Sequence, residues 1–185
     1  MNILQQIVND IQKDLVLKKQ IVPIESLESS PLFERQTNSL RQRVVETEGI
    51  IAEHKRRSPS KPNINFGLRL ADVAQGYESA GVAGMSVLTN KQYFGGSLED
   101  LLLARQACEL PLLRKEFMID EYQVLEAKAN GADAILLIAA CLERQDIQTL
   151  STDRDRHQQC RWRNRIRTCD YQTAYRIAWR FDIRG

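Results

Sequence analysis

Glu53 and Lys55 are the first residues whose types and spacing suggest chemistry. They sit in the stretch Ile50-Ile51-Ala52-Glu53-His54-Lys55-Arg56-Arg57-Ser58-Pro59-Ser60-Lys61-Pro62, which opens as an Ile-rich strand and ends in the Ser, Pro and Lys of a loop. Side chains alternate along a strand, so Glu53 and Lys55 project to one face while Ala52 and His54 project to the other. A carboxylate and an ammonium two residues apart at a strand end form an acid and cation pair that a small anionic substrate could meet. The competing reading is an ordinary surface ion pair on a sheet edge. Ser86 and Lys115 also lie at or near the C-terminal ends of predicted strands, and three successive strands ending this way favour a shared site.

The elements that must position these residues follow from periodicity. Ile3, Leu4, Ile7, Val8, Ile11 and Leu15 recur at steps of three and four, the apolar stripe of a helix from Met1 to about Gln20. Residues 21–29 contain Pro23 and read as a linker, and Ser30-Pro31 supplies a cap and first-turn proline for a helix to about Arg43. A repeating unit then begins. Ile50 to Lys55 is a strand, Leu70 to Tyr77 a helix stopping near Gly81, and Gly84 to Leu88 a second strand. Leu98 to Ala107 is a helix, Pro111 to Lys115 a third strand, and Glu121 to Asn130 a helix closed by Gly131. Ala134 to Ala139, apolar on both faces, is a fourth strand, and Arg144 to Leu150 opens a fourth helix. Strands of this kind, alternating with helices, predict a parallel α/β sheet, open and doubly wound or part of a (β/α)8 barrel. The absence of G-x-G-x-x-G after the first strand, and polar residues clustered at the strand ends, favour the barrel.

The expected organisation is a helical extension over 1–48, four βα units over 49–150, and a tail over 151–185 of different character. The tail has nine Arg and four Asp with no Lys or Glu, a net of +5 in a chain whose formal charge is +2. With 43% hydrophobic and 27% charged residues the chain has a globular composition. No apolar run reaches eighteen residues and no cleavable leader is evident, so the expectation is a cytoplasmic protein without a membrane span. Cys108 and Cys141 fall in apolar contexts and are expected to be reduced. His157, Cys160 and Cys169 match no zinc spacing, and no metal is expected.

Five ordered motifs carry a family resemblance: Glu53-x-Lys55-x-x-Ser58-Pro59-Ser60, Ser86-Val87-Leu88-Thr89, Tyr93-Phe94-x-Gly96-Ser97, Leu113 to Gln123, and Gly131 to Ile138. Together they resemble indole-3-glycerol phosphate synthase, a carboxy-lyase of tryptophan biosynthesis, over residues 1 to about 150. The resemblance implies a (β/α)8 barrel here truncated to about four units. It implies no cofactor, and a phosphorylated small-molecule substrate, 1-(2-carboxyphenylamino)-1-deoxyribulose 5-phosphate, closed with decarboxylation to indole-3-glycerol phosphate. It also implies roles by position: Lys115 as general acid, Lys55 as the cation for the anthranilate carboxylate, and Glu53 orienting and balancing both lysines. Phe94 and Phe117 would wall the aromatic ring, and Ser58 and Ser86 would contact substrate.

Three departures accompany the match. His54 stands where the family has an apolar residue on the helix side, Pro62 replaces a usual loop glycine, and the base and phosphate site of the later strands lack counterparts. The expectation is an impaired or inactive chain, with residues 151–185 a frame-shifted or disordered tail. Open sheet edges also predict possible self-association. The alternative is a non-catalytic half-barrel whose Arg-rich, aromatic tail binds nucleic acid or a partner chain.

Overall fold

The computed structural model describes residues 3–152 of the 185-residue chain. Helix α1 (Ile3–Ile21) forms where Ile7, Ile11 and Leu15 recur every four residues, and Lys18 and Lys19 in its last turn favour the negative end of its dipole. The expected linker contains a short helix, α2 (Ile24–Glu28). The expected helix from Ser30 does not form. Residues 30–35 make turns, and α3 (Leu40–Glu46) begins later, capped by the Ser39 hydroxyl, which accepts from the Gln42 amide. Two capping serines compete in this stretch; the Ser30 hydroxyl is taken by the Ala129 carbonyl, to which it donates at 2.7 Å, and the helix starts at Ser39.

The sheet contains β1 (Ile51–His54), β2 (Gly84–Leu88), β3 (Leu112–Lys115) and β4 (Ala134–Ile135), all parallel and in sequence order. Helix α4 (Leu70–Ser79) joins β1 to β2, and α5 (Lys91–Phe94) with α6 (Leu98–Ala107) joins β2 to β3. Helix α7 (Glu121–Ala129) joins β3 to β4, and α8 (Arg144–Thr152) follows. Ser97 and Asp120 cap α6 and α7 through their side chains. Gly81 and Gly131 close α4 and α7 at φ 74° and 86°, a conformation that strains residues with a Cβ.

Two strands differ from expectation. β1 ends at His54, so Lys55 is the first residue of the loop. β4 has two residues where six were expected, and residues 134–138 are only half-buried. Among the described residues β4 has a neighbour on one side only, and apolar character without a second ladder does not hold a strand. The main core lies between the sheet and its helices, around Ala74, Met85, Val87, Leu101, Ala104, Leu112 and Ala127. A second core joins Ile7, Ile11 and Leu15 of α1 to Leu27, Phe33, Tyr122 and Ala129, fastening the helical extension to α7. Each such fully buried aliphatic side chain contributes about 1.5 to 3 kcal/mol of transfer free energy.

Candidate active site

Register brings the first two strands' polar residues level. Glu53 of β1 lies opposite Ser86 of β2, and Leu88 lies opposite Lys115 of β3. Alternation then sends Glu53, Ser86 and Lys115 to the face away from the helices, and His54, Val87 and Arg114 toward them.

Glu53 is the centre of the cluster. One carboxylate oxygen accepts from Lys115 Nζ at 2.6 Å, and the other lies 3.2 Å from Lys55 Nζ. Burial alone would push the Glu53 carboxyl up. The Lys115 ammonium, by charge and hydrogen bond, and then Lys55 outweigh burial and hold the group below its ordinary range. The three side chains remain 25 to 39% exposed, so the cluster is open to a ligand. Tyr77, unremarked in the sequence beyond its apolar spacing, donates its hydroxyl to the Glu53 carbonyl at 3.0 Å and ties β1 to α4 at that residue.

The other predicted residues are placed as follows. The rings of Phe94 and Phe117 are neighbours, with centroids 6.4 Å apart and planes tilted by 32°. Phe117 also packs against the α1 core. Ser58 closes a tight turn, its amide donating to the Lys61 carbonyl and its hydroxyl accepting from the Lys61 amide. Its hydroxyl lies 3.3 Å from that of Ser60. Ser86 is 4% exposed, within the sheet, and its hydroxyl has no hydrogen-bond partner. His54 stands on the helix side as expected, 4% exposed and with both ring nitrogens unpartnered. Its burial, reinforced by nearby Arg56 and opposed by Asp100, pushes the imidazole below its ordinary value.

Much of the supporting chemistry lies in long-range pairs that sequence reading missed. Arg56 grips Asp100 through both guanidinium nitrogens at 2.5 and 2.7 Å, and the same Arg56 donates to the Gly95 carbonyl. Arg57 donates to the carbonyls of Lys91 and Gln92, so the loop after β1 is held against α5 and α6. Arg114, 2% exposed, pairs with Glu126 at 2.7 Å. Alternation alone places Arg114 on the helix side, where a charge requires a partner. Its partner twelve residues on is fixed only by the fold.

Two clefts open elsewhere. One of about 590 Å³ lies on the helix side, lined by Lys18, Thr89, Asp100, Arg114, Glu116 and Glu126 among others. The other, about 400 Å³, lies near Ser39, Arg43 and Glu109. Neither holds Glu53, Lys55 or Lys115, which stand on the open face of the sheet rather than in a closed cavity. Cys108 and Cys141 are free thiols, both pushed up by burial. Among the described residues no group of His, Cys, Asp and Glu could hold a metal. No helix there is long and apolar enough to cross a membrane. The expected His157, Cys160 and Cys169, and the Arg-rich tail beyond residue 152, lie outside the described residues.

A parallel sheet with alternating helices, and charged residues at its strand ends, defines part of an α/β barrel of the kind that carries catalytic residues on that rim. Comparison with known proteins narrows the class. The profile of the indole-3-glycerol phosphate synthase family matches residues 4–157, and the chain belongs to that family. It is 40% identical over 151 residues to the indole-3-glycerol phosphate synthase of Bacteroides thetaiotaomicron, covering 81% of this chain and 58% of that relative. It is 56% identical over 105 residues to the enzyme of the same name from Azoarcus, covering 55% of this chain and 40% of the relative. A third, from Neisseria meningitidis, is 56% identical over 99 residues, 54% of this chain and 38% of its own length. The chain therefore spans about half the length of the curated relatives it matches.

Proposed function

We propose that the Glu53, Lys55 and Lys115 cluster serves the decarboxylating ring closure of 1-(2-carboxyphenylamino)-1-deoxyribulose 5-phosphate to indole-3-glycerol phosphate, a step of tryptophan biosynthesis. The observation that supports this reading most is the single carboxylate of Glu53 bridging two lysines. Lys55 offers a cation to the substrate carboxylate. Lys115 supplies a proton to the substrate carbonyl oxygen as a ring carbon attacks the carbonyl carbon, and carbon dioxide and then water depart. Glu53 holds both ammonium groups in place through its two carboxylate oxygens. Phe94 and Phe117 present ring faces to the aromatic part of the substrate.

The described residues furnish the acid and carboxylate-binding parts of such a site. They contain no counterpart of the base and phosphate cradle that the family resemblance places on later strands. We propose that this chain by itself holds the substrate weakly and turns it over poorly. The test is formation of indole-3-glycerol phosphate by the purified chain, followed by indole fluorescence, beside Lys115→Met. A rate in the wild-type chain that Lys115→Met leaves intact would refute the assignment of Lys115. The alternative, a half-barrel whose tail binds nucleic acid, predicts salt-sensitive binding of a single-stranded oligonucleotide that is lost when residues 153–185 are removed.

A further inference from the structure

Lys115 lies between two residues that are both locked on the opposite side of the sheet. Arg114 donates from Nε to the Thr89 hydroxyl at 3.1 Å, from one terminal nitrogen to the Gln123 carbonyl at 2.9 Å, and from the other to Glu126 at 2.7 Å. Glu116 accepts from the same Thr89 hydroxyl at 3.1 Å, from Asn90 at 3.2 Å and from the Phe117 amide at 3.0 Å. Thr89 therefore bridges the side chains on both sides of Lys115, and its own amide donates to the Lys115 carbonyl. Gln123 extends the clamp by bonding the Phe117 carbonyl and the Ile119 amide. Arg114, Glu116, Gln123 and Glu126 are each 7% exposed or less.

The charges of this cluster balance only when α1 is counted. Arg114 and Glu126 cancel, leaving the buried Glu116 carboxylate, and Lys18 of α1 adds a compensating cation by pairing with Glu126 at 3.0 Å. A buried polar network with every member partnered has one geometry of lowest energy, whereas removing a member frees several.

We propose that Arg114 and Thr89 are positioning residues for Lys115, and that α1 takes part in the site through the relay Lys18, Glu126 and Arg114. Arg114 does not reach the open face of the sheet. It acts by fixing the backbone from which the Lys115 side chain extends toward Glu53. This inference rests on the proposed role of Lys115 only for its catalytic consequence, because the position of Lys115 can be read without substrate.

The experiment uses the full chain labelled with [15N]lysine. Its eight lysines give a spectrum in which the ion-paired Lys115 ammonium is assigned by its loss in Lys115→Arg. Thr89→Val removes the bridging hydroxyl with little change of shape, and Lys18→Met alters a half-exposed residue while leaving the apolar stripe of α1 intact. Both are expected to move the Lys115 ammonium signal and weaken its coupling to Glu53. Lys13→Met, at an 80% exposed residue of the same helix, is expected to leave it in place. An unmoved Lys115 signal in Thr89→Val and Lys18→Met, with methyl signals of Val87 and Met85 unchanged, would overturn the proposal. An equal movement in Lys13→Met would also overturn it, since the effect would then be general. With substrate, Thr89→Val is expected to lower kcat on the order of 10- to 100-fold at a retained KM, the cost of a misplaced acid. The spectrum decides the positioning whether or not the wild-type chain closes the ring, and the functional reading is decided separately by Lys115→Met.

Discussion

Replacing His54 with leucine should stabilise this protein, and more so in acid. The imidazole is 4% exposed with neither nitrogen hydrogen-bonded, and a buried polar group left unsatisfied costs about 1 to 3 kcal/mol. Leucine has similar bulk and no polar atom, and His54→Leu should gain about 1 to 2 kcal/mol near pH 8 after some repacking loss. The pH dependence has a definite sign. Burial and Arg56 hold the folded-state pKa below the ordinary 6.5, so as pH falls the unfolded chain takes up a proton first. Stability therefore declines from about pH 6.5 downward until the folded-state pKa is passed. His54→Leu lacks that decline. Urea unfolding followed by circular dichroism at about pH 8 and about pH 5.5 measures both effects. A variant no more stable than wild type at the higher pH, and losing as much on acidification, would refute the reasoning.

Glu53→Gln removes the carboxylate that holds Lys115 and Lys55, and ring closure should fall on the order of 100-fold where it is measurable. Because the Glu53 pKa is depressed, its stabilisation is present above about pH 4.5 and is lost as pH falls through the folded-state value; in Glu53→Gln that acid limb should be shallower when unfolding is titrated. Gly96→Ala should leave little folded protein, because a Cβ there would lie 1.9 Å from the Leu88 carbonyl oxygen; solubility and a thermal scan report this, and a normal melting curve would contradict it. Each edge of the described sheet, β1 and β4, has one neighbour, and we propose that the chain self-associates through them. Light scattering should show mass rising with concentration, and a fixed monomer would argue against edge pairing.

The repeating βα pattern was legible because each strand contains a short apolar run and two of the helices that follow, α4 and α7, are closed by glycine. Gly84 to Leu88 and Leu98 to Ala107 fall on the observed bounds. Glu53, Lys55 and Lys115 were legible as a group because strand ends in parallel sheets share a rim. Legibility failed where the outcome depended on distant partners. The cap at Ser39 prevailed over Ser30, whose hydroxyl donates instead to the Ala129 carbonyl 99 residues away. β4 is shorter than its apolar run because strand length follows available neighbours as well as composition. Thr89 and Tyr77 gave no local sign of their roles, and Arg114 showed only its side of the sheet, since each acts through a bond to another element.

Asp133 gives the fold an order of assembly. Its buried carboxylate accepts from the Arg35 guanidinium and the Asn38 amide, 98 and 95 residues earlier in the chain, and from Arg105 and the Leu112 amide. None of these groups has that partner until residue 133 has been synthesised. The segment after α2 is therefore made early and secured late, and closing a loop of about a hundred residues costs several kcal/mol of chain entropy before the contacts repay it. A ribosome-bound chain shorter than about 133 residues would carry Arg35 without its carboxylate partner and Arg105 with only its looser contact to Glu109, so the first three βα units acquire their final support only when the fourth strand begins.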